Sequence, residues 1–294
     1  METVGSRSEA ERLLSGGRVL VDGRPRPKSH RLAGGEVLSL TVPERRPSKL
    51  EPEELDVSIL YEDDNLLVVD KPAGIVVHPS AGHARGTLVH GLLARGIAGG
   101  GEPARPGIVH RLDRGTSGPI VVAKHDAAHR RLAEQFRKRE VEKRYLALVY
   151  GRPPRSFAVD QAIGRDRRHR TKISSRTQRP RQAKSEFTRL ECLPWSALLE
   201  VKIRTGRTHQ IRVHSSEASY PVVGDRSYGA PGPRTPLPRR EAAAFRLLRD
   251  FGRPALHASG IELRHPVSGE RLRFSAPLPQ DMAELLTELR RLSH

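Results

Sequence analysis

Cysteine is almost missing from this chain. Cys192 is the only one in 294 residues, which excludes an intrachain disulfide and any multi-cysteine zinc or iron–sulfur centre. No apolar run reaches the roughly 18 residues of a membrane-spanning helix. The opening METVGSRSEAER lacks the apolar stretch of a secretory signal. Several catalytic plans are missing too: there is no G-x-x-x-x-G-K-[ST] phosphate loop, no G-x-G-x-x-G after a strand, no H-E-x-x-H and no G-x-S-x-G elbow. His209 and His214 stand five apart, which does not align them on one helical face, so no metal site is expected. Acidic residues are the minority. Thirty-four Asp and Glu face 52 Lys and Arg, a formal net charge of +18, and such an imbalance belongs to a protein whose partner is a polyanion. Hydrophobic residues make up 36% of the chain, enough for a real core, so disorder throughout is excluded. The expectation is a soluble, cytoplasmic protein that meets nucleic acid, with no membrane contact and no obligate protein partner.

The chain divides by composition. A short helix at Glu9–Leu14 leads into a Val19–Val21 strand, an Asp22-Gly23 hairpin turn and a second strand over Val37–Leu40. Arg18, Lys28 and further cations crowd the connecting loops. PERRPSKLEP, from Pro43 to Pro52, has charge and proline without apolar periodicity and reads as a linker. The expected organisation is a small module over 1–46, a linker over 47–56 and a large domain over 57–294. In the latter, Ala128, Leu132 and Phe136 recur on one face of a helix over Asp126–Arg139. Tyr145 to Tyr150 alternates faces as a strand, with Leu199, Val201 and Ile203 on another. Ile261–Leu263 and Leu272–Phe274 flank a turn, and Met282, Leu285, Leu286 and Leu289 share a face of a closing helix. Strands and helices do not alternate regularly, so α+β is expected rather than a doubly wound sheet.

Residues 164–184, GRDRRHRTKISSRTQRPRQAK, carry nine Lys or Arg against one acid and cannot be core. They read as a surface loop that grips phosphates, with a solvated loop as the alternative. A second loop, Gly229–Arg240, is given no function. Two clusters carry potential chemistry. GIVHRLDRGTSG (Gly107–Gly118) is a tight connection before a strand at Ile120, with Asp113 placed between arginines. It can also be read as an aspartate that merely turns the loop. TGRTHQIRVH (Thr205–His214) is rich in donors for phosphate or base, and is also a helix start capped by Thr208.

With these blocks the sequence resembles the RluA/RluD-type pseudouridine synthases. The resemblance rests on HRLDRGTSG (His110–Gly118), KRYLALVYG (Lys143–Gly151) and TGRTHQIRVH. It extends to EDDNLLVVDKPAGIVVHPSAGH (Glu62–His83), PVVGDRSYG (Pro221–Gly229) and LHASGIELRHPVSGE (Leu256–Glu270), in family order over roughly 57–290. The first 40 residues resemble an S4-type RNA-binding module whose opening helix is shortened. Pro119 departs from the family's aliphatic residue, and at a strand's start it is tolerable. The resemblance implies a mixed, largely antiparallel sheet with a central active-site cleft, preceded by the small S4-like α/β module. It also implies an RNA uridine isomerase that works without metal or cofactor. Asp113 would be the essential carboxylate, adding to C1′ or assisting removal of the 2′ hydrogen, and Arg212 would pair with it through two hydrogen bonds. Tyr145 would stack on the uracil, its hydroxyl helping to deprotonate C5. Arg111 would fill the space of the flipped base. His110, Arg207, His209, Arg165, Arg167 and Arg168, with Arg18 and Lys28 of the module, would contact RNA. The expected target is ribosomal RNA of the large subunit. The alternatives are transfer RNA and a non-catalytic RNA-binding or ribosome-assembly protein.

Overall fold

Asp22 and Gly23 both take positive φ, 48° and 73°, the backbone that a two-residue hairpin loop needs to match strand twist. The turn joins β1 (Val19–Val21) to β2 (Arg24–Pro25), and β3 (Leu38–Leu40) pairs with β1 on the other side. In this computed structural model, residues 13–41, 50–79, 83–100, 105–169, 171–229 and 239–293 are described. The chain divides into two units, Met1–Ser48 and Lys49–His294. Most of the expected Glu9–Leu14 helix and of the Pro43–Pro52 linker lies outside the described residues. So does most of the Gly229–Arg240 loop.

Residues 50–56, expected as linker, correct that reading. Leu50 packs against the core of the larger unit, Glu53 N–H donates to the His90 carbonyl, and Glu51 and Glu53 pair with Arg85. An apolar residue and two acids within PERRPSKLEP and just after it anchor the segment, and proline content alone concealed this.

The larger unit opens with β4 (Ser58–Glu62) and β5 (Leu66–Lys71). Helix α1 (Leu88–Leu92) follows, and β6 (Gly118–Ala123) returns to complete an antiparallel sheet in the order β4-β5-β6. Pro119 sits second in β6, an edge strand of that sheet, where its missing N–H is tolerated. Helix α2 (Asp126–Lys138) leads into β7 (Glu142–Tyr150), then β8 (Ser156–Asp160), β9 (Gly164–Arg165), β10 (Ile173–Ser174), β11 (Lys184–Leu193) and β12 (Ser196–Ile203). Helix α3 (Gln210–Glu217), helix α4 (Arg239–Asp250), β13 (Leu256–Arg264), β14 (Arg271–Ser275) and helix α5 (Gln280–Arg291) complete the unit. Six of these strands form one antiparallel sheet, β14-β13-β7-β12-β11-β8. The mixed α+β architecture is the expected one. No helix among the described residues is long and apolar enough to cross a membrane.

The alternation of β7 builds two cores. Tyr145, Ala147 and Val149 face a cluster with Leu67 and Val69 of β5, Ile120 and Val122 of β6, and Leu199 and Val201 of β12. Leu146, Leu148 and Tyr150 face the other way, where Met282, Leu285, Leu286 and Leu289 of α5 cover the sheet. Burying four such side chains stabilises the unit by roughly 1.5–3 kcal/mol each. The first core cements the smaller sheet to the larger one, and the cleft opens along that seam.

Candidate active site

Asp113 lies on the connection between α1 and β6, and side chains from distant elements tie that connection down. Lys71, at the end of β5, is fully buried. Its ammonium donates to the carbonyls of Pro72 at 2.7 Å, Ile75 at 2.9 Å and Arg114 at 3.5 Å. Burial pushes this lysine down to about 7, while the negative charge of Asp113 works against that fall. Arg253 grips Asp281 through two nitrogens and donates a third bond to the Gly115 carbonyl at 3.0 Å. Ser117 Oγ meets His257 Nδ1 at 3.0 Å, and Ala258 N–H donates to the Ser117 carbonyl. Gly118, at φ 121°, presses so closely on β13 that a Cβ there would lie 2.1 Å from the Ala258 carbonyl oxygen.

His110 makes contacts inside the protein and also lines one of the cationic clefts described below. Its Nε2 accepts the Val121 N–H at 2.9 Å, and its ring stacks on Phe136 at 4.7 Å. Burial, then the charge of Lys143, push it down to about 3. A neutral ring with its lone pair engaged anchors the loop.

The second cluster reaches Asp113 from α3. Gln210 staples the turn before it, accepting from Thr205 Oγ1 and Arg207 N–H and donating to the Lys184 carbonyl and Ser185 Oγ. Thr208 is not the helix cap. That position belongs to His209, whose φ of 55° is left-handed and whose side chain caps nothing. A non-glycine residue there is uncommon, although histidine tolerates it better than most.

Arg212 approaches Asp113, but not through the expected double bond. Only Nη1 faces Asp113 Oδ2, at 3.4 Å. Its fork closes instead on Asp225, with Nε to Oδ2 at 2.6 Å and Nη2 to Oδ1 at 2.8 Å. Asp225 was hidden in the PVVGDRSYG block. Its side chain is fully buried, and it also accepts the N–H groups of Ser227 and Tyr228. The Tyr228 ring lies under the guanidinium, 5.1 Å from its carbon. Burial opposes the charge on Arg212, but the carboxylates of Asp225 and Asp113 outweigh it and raise its pKa. His209 Nε2 stands 3.9 Å from the same Asp113 Oδ2. Burial lowers the pKa of this imidazole, with Asp113 opposing.

Asp113, Arg111, Tyr145, Arg207, His209 and Arg212 line one small cavity of about 60 Å³. At about 10–15 Å³ per water position, that is room for a single flat ring and no stack. Burial and the neighbouring Asp113 charge raise the Tyr145 pKa strongly, so its phenol is neutral and no ready base. Two buried polar atoms among the described residues have no partner, His78 Nδ1 and Thr116 Oγ1, and Thr116 belongs to this cavity. Arg111 is exposed and lines the cavity mouth.

Two larger clefts adjoin it. One, of about 740 Å³, is lined by Arg165, Arg167, Arg179, Arg181 and Arg207 with a single acid, Asp166. The expected loop is here a hairpin, with β9 and β10 paired and Asp166 accepting from Ser174 Oγ, Arg168 N–H and His169 N–H. Arg168 faces a separate hollow on that hairpin, with Arg176. The other cleft, of about 610 Å³, carries seven cations, Arg111, Lys143 and Arg207 among them, and no acid. Arg207 lines all three cavities. Arg18 and Lys28 are exposed in the smaller unit.

A single carboxylate in a base-sized hollow between two cationic clefts defines an enzyme that handles one nucleotide of a nucleic acid. Known proteins agree. The sequence profile described as RNA pseudouridylate synthase matches residues 65–217, and that of the S4 domain matches residues 3–38. An uncharacterized RNA pseudouridine synthase of Chloroflexus aurantiacus is 45% identical over 286 residues, covering 97% of this chain and 85% of the relative. The ribosomal large subunit pseudouridine synthase D of Xanthomonas campestris pv. campestris is 41% identical, with the same coverages. Among solved structures, human RNA pseudouridylate synthase domain containing 4 superposes with a TM-score of 0.60 at 27% identity, covering 79% of this chain and 93% of its own. The chain belongs to the RNA pseudouridylate synthase family. It is an RNA pseudouridine synthase carrying an S4 RNA-binding domain.

Proposed function

We propose that Asp113 is the attacking carboxylate and that the substrate is uridine in large-subunit ribosomal RNA. The observation that carries the first part is the Asp113 carboxylate lining a hollow sized for one base, with arginine clefts on both sides. The second part is supported by the name of the Xanthomonas relative and its match along nearly the whole chain, and by the S4 domain. That target belongs to the cytoplasm.

In this reading the RNA backbone runs from the hairpin cleft past Arg207 to the Lys143 cleft. Arg111 enters the space left by the flipped uridine, offsetting the few kcal/mol lost in unstacking. A carboxylate oxygen of Asp113 adds to C1′ as the N1–C1′ bond breaks, and the uracil leaves with the electron pair. The base turns within the hollow against Tyr145, C5 attacks C1′, and the carboxylate departs. The C5 proton then passes to solvent. By that step Asp113 is a carboxylate again, so burial and its charge both still hold the Tyr145 phenol neutral, and the proton goes first to water or to the freed carboxylate. Ordinary glycoside hydrolysis needs a second carboxylate to activate water, whereas here the returning nucleophile is the base itself.

The test is tritium release from C5-tritiated uridine in a large-subunit ribosomal RNA transcript, with Asp113→Asn in parallel. Release by the wild type and none by the variant is the expected result. Release by both refutes the role of Asp113. Release from transfer RNA alone refutes the target.

A further inference from the structure

Tyr228 and His209 form a chain that the reaction above leaves unused. Tyr228 oxygen accepts the backbone N–H of Ile173, at 2.9 Å, from β10 of the arginine hairpin. The same oxygen lies 2.9 Å from His209 Nδ1. The other imidazole nitrogen, Nε2, faces Asp113 Oδ2 at 3.9 Å. The direction of the protons follows from chemistry. With the Ile173 N–H already accepted, the phenolic proton has one neighbour to go to, His209 Nδ1, which must then be the unprotonated nitrogen. The remaining proton sits on Nε2 and points toward the carboxylate. The opposite tautomer would leave the phenolic proton without an acceptor and aim an imidazole lone pair at a negative oxygen.

The hairpin end of the chain is itself fixed. Ser175 N–H and Oγ both donate to Glu217 of α3, at 2.9 and 2.8 Å. Ile173 and Tyr228 pack on a small core of Ile163, Ala183 and Val213. At the other end, Arg212 Nη1 and His209 Nε2 converge on Oδ2 of Asp113. Both groups therefore face the same oxygen, and the other, Oδ1, is the one left for attack. A contact of 3.9 Å is too long for a hydrogen bond, so the last link closes when the base enters and water leaves.

We propose that His209 and Tyr228 are positioning residues: Tyr228, anchored on the arginine hairpin, fixes the His209 tautomer, and His209 with Arg212 holds Oδ2 so that Oδ1 attacks. This rests on Asp113 being the nucleophile. It makes the docked hairpin that grips the RNA also a condition for the orientation of the carboxylate.

The experiment is single-turnover tritium release with enzyme in excess, alongside RNA affinity, for Tyr228→Phe, His209→Gln, His209→Asn and the Tyr228→Phe/His209→Gln double variant. Phenylalanine keeps the ring under Arg212 and removes only the hydroxyl. Its rate should fall about tenfold or more, with RNA affinity within about twofold. Glutamine has no tautomer to set and its amide N–H reaches toward Asp113, so His209→Gln should retain most activity, and adding Tyr228→Phe to it should cost little more. Asparagine suits the left-handed backbone but is too short, and should be as slow as Tyr228→Phe. A double variant that multiplies the two losses overturns the tautomer argument, because independent sites add in free energy. A Tyr228→Phe enzyme with normal rate, or with weakened RNA binding alone, overturns it too. Asp113→Asn separates the readings: if it still releases tritium the nucleophile is wrong, and if it is dead while Tyr228→Phe is normal only the relay is wrong.

Discussion

Stability and turnover should come apart at the two aspartates that share Arg212. Asp225 accepts four hydrogen bonds in full burial, two of them from the guanidinium. Asp225→Asn can keep its oxygen where Oδ1 accepts three of these, which turns its amide N–H₂ against Arg212 Nε. The 2.6 Å bond is lost and a nearly buried cation is left half-paired. Breaking a buried pair from one side costs about 3–5 kcal/mol. At about 2–4 °C per kcal/mol for a domain of this size, the unfolding midpoint should drop by roughly 6–20 °C. Asp113 gives Arg212 one contact at 3.4 Å, and an asparagine oxygen can still accept it. Asp113→Asn should therefore cost no more than about 1 kcal/mol, a shift below about 4 °C.

Activity should run the other way. Losing a nucleophile should remove tritium release by about 10⁴-fold or more. Asp225→Asn, assayed below its own unfolding range, should lose about 100-fold through an Arg212 displaced by an ångström or so. The two measurements are a thermal melt and tritium release on the same preparations. A stable Asp225→Asn protein, or an Asp113→Asn protein that melts as early as the Asp225 variant, refutes the division of Arg212 between them.

Three further outcomes follow from the site. Arg165→Gln with Arg167→Gln should weaken RNA binding and flatten the slope of log affinity against log salt by about 1.4–1.8, while Arg168→Gln, outside the large cleft, should change it less; titrations at several salt concentrations decide this. His110 is held to about 3 when folded and returns to about 6.5 when unfolded. Between those values the unfolded chain binds the extra proton, so its stability contribution is lost as pH falls below about 6.5, at about 1.4 kcal/mol per pH unit. His110→Gln should flatten the pH dependence of the unfolding free energy by that slope. Thr116→Val removes a buried hydroxyl without a partner, so it should leave stability unchanged or raised by about 1 kcal/mol, and slow turnover where the hydroxyl meets the incoming uridine. Unfolding curves and single-turnover rates on one sample test both halves.

What could be read in the sequence had a local cause. Two-residue alternation in Tyr145–Tyr150 and the Met282–Leu289 stripe report burial on one face, and Asp22-Gly23 reports its turn through backbone sterics alone. Arg111, Asp113, Tyr145, Arg207, His209 and Arg212 do meet in one cavity, as the resemblance of their blocks to one family implies. Residues whose meaning lies in a distant partner were opaque. Lys71 at the end of a strand looks like any exposed lysine until three carbonyls are seen around its ammonium. Asp225 reads as a turn former, and it is one, through Ser227 and Tyr228. Nothing in its neighbourhood indicates that it also takes the fork of Arg212. Helix α4 has no signal at its start, because the prolines and glycines of Gly229–Arg240 indicate loop up to the point where it begins.

The opaque residues share a task, and the chemistry explains it. In the proposed reaction the carboxylate that leaves C1′ must stay within reach to let C5 return, and water must not take its place. Such a carboxylate cannot ride on a mobile loop. The Asp113 connection has little regular structure of its own, so its rigidity has to be imported: from β5 through Lys71, from α5 through Arg253 and Asp281, from β13 through His257 and the close approach at Gly118. Each strap ends on a backbone carbonyl or a small hydroxyl of the loop and makes no hydrogen bond to Asp113 itself. The side chains that do reach the Asp113 carboxylate, the Arg212 cation and the neutral His209 ring, come from α3 and its N-cap, and α3 is tied to the same hairpin that lines the larger arginine cleft. The loop is thus strapped from both sheets, while its carboxylate is met from α3 and the residue that caps it.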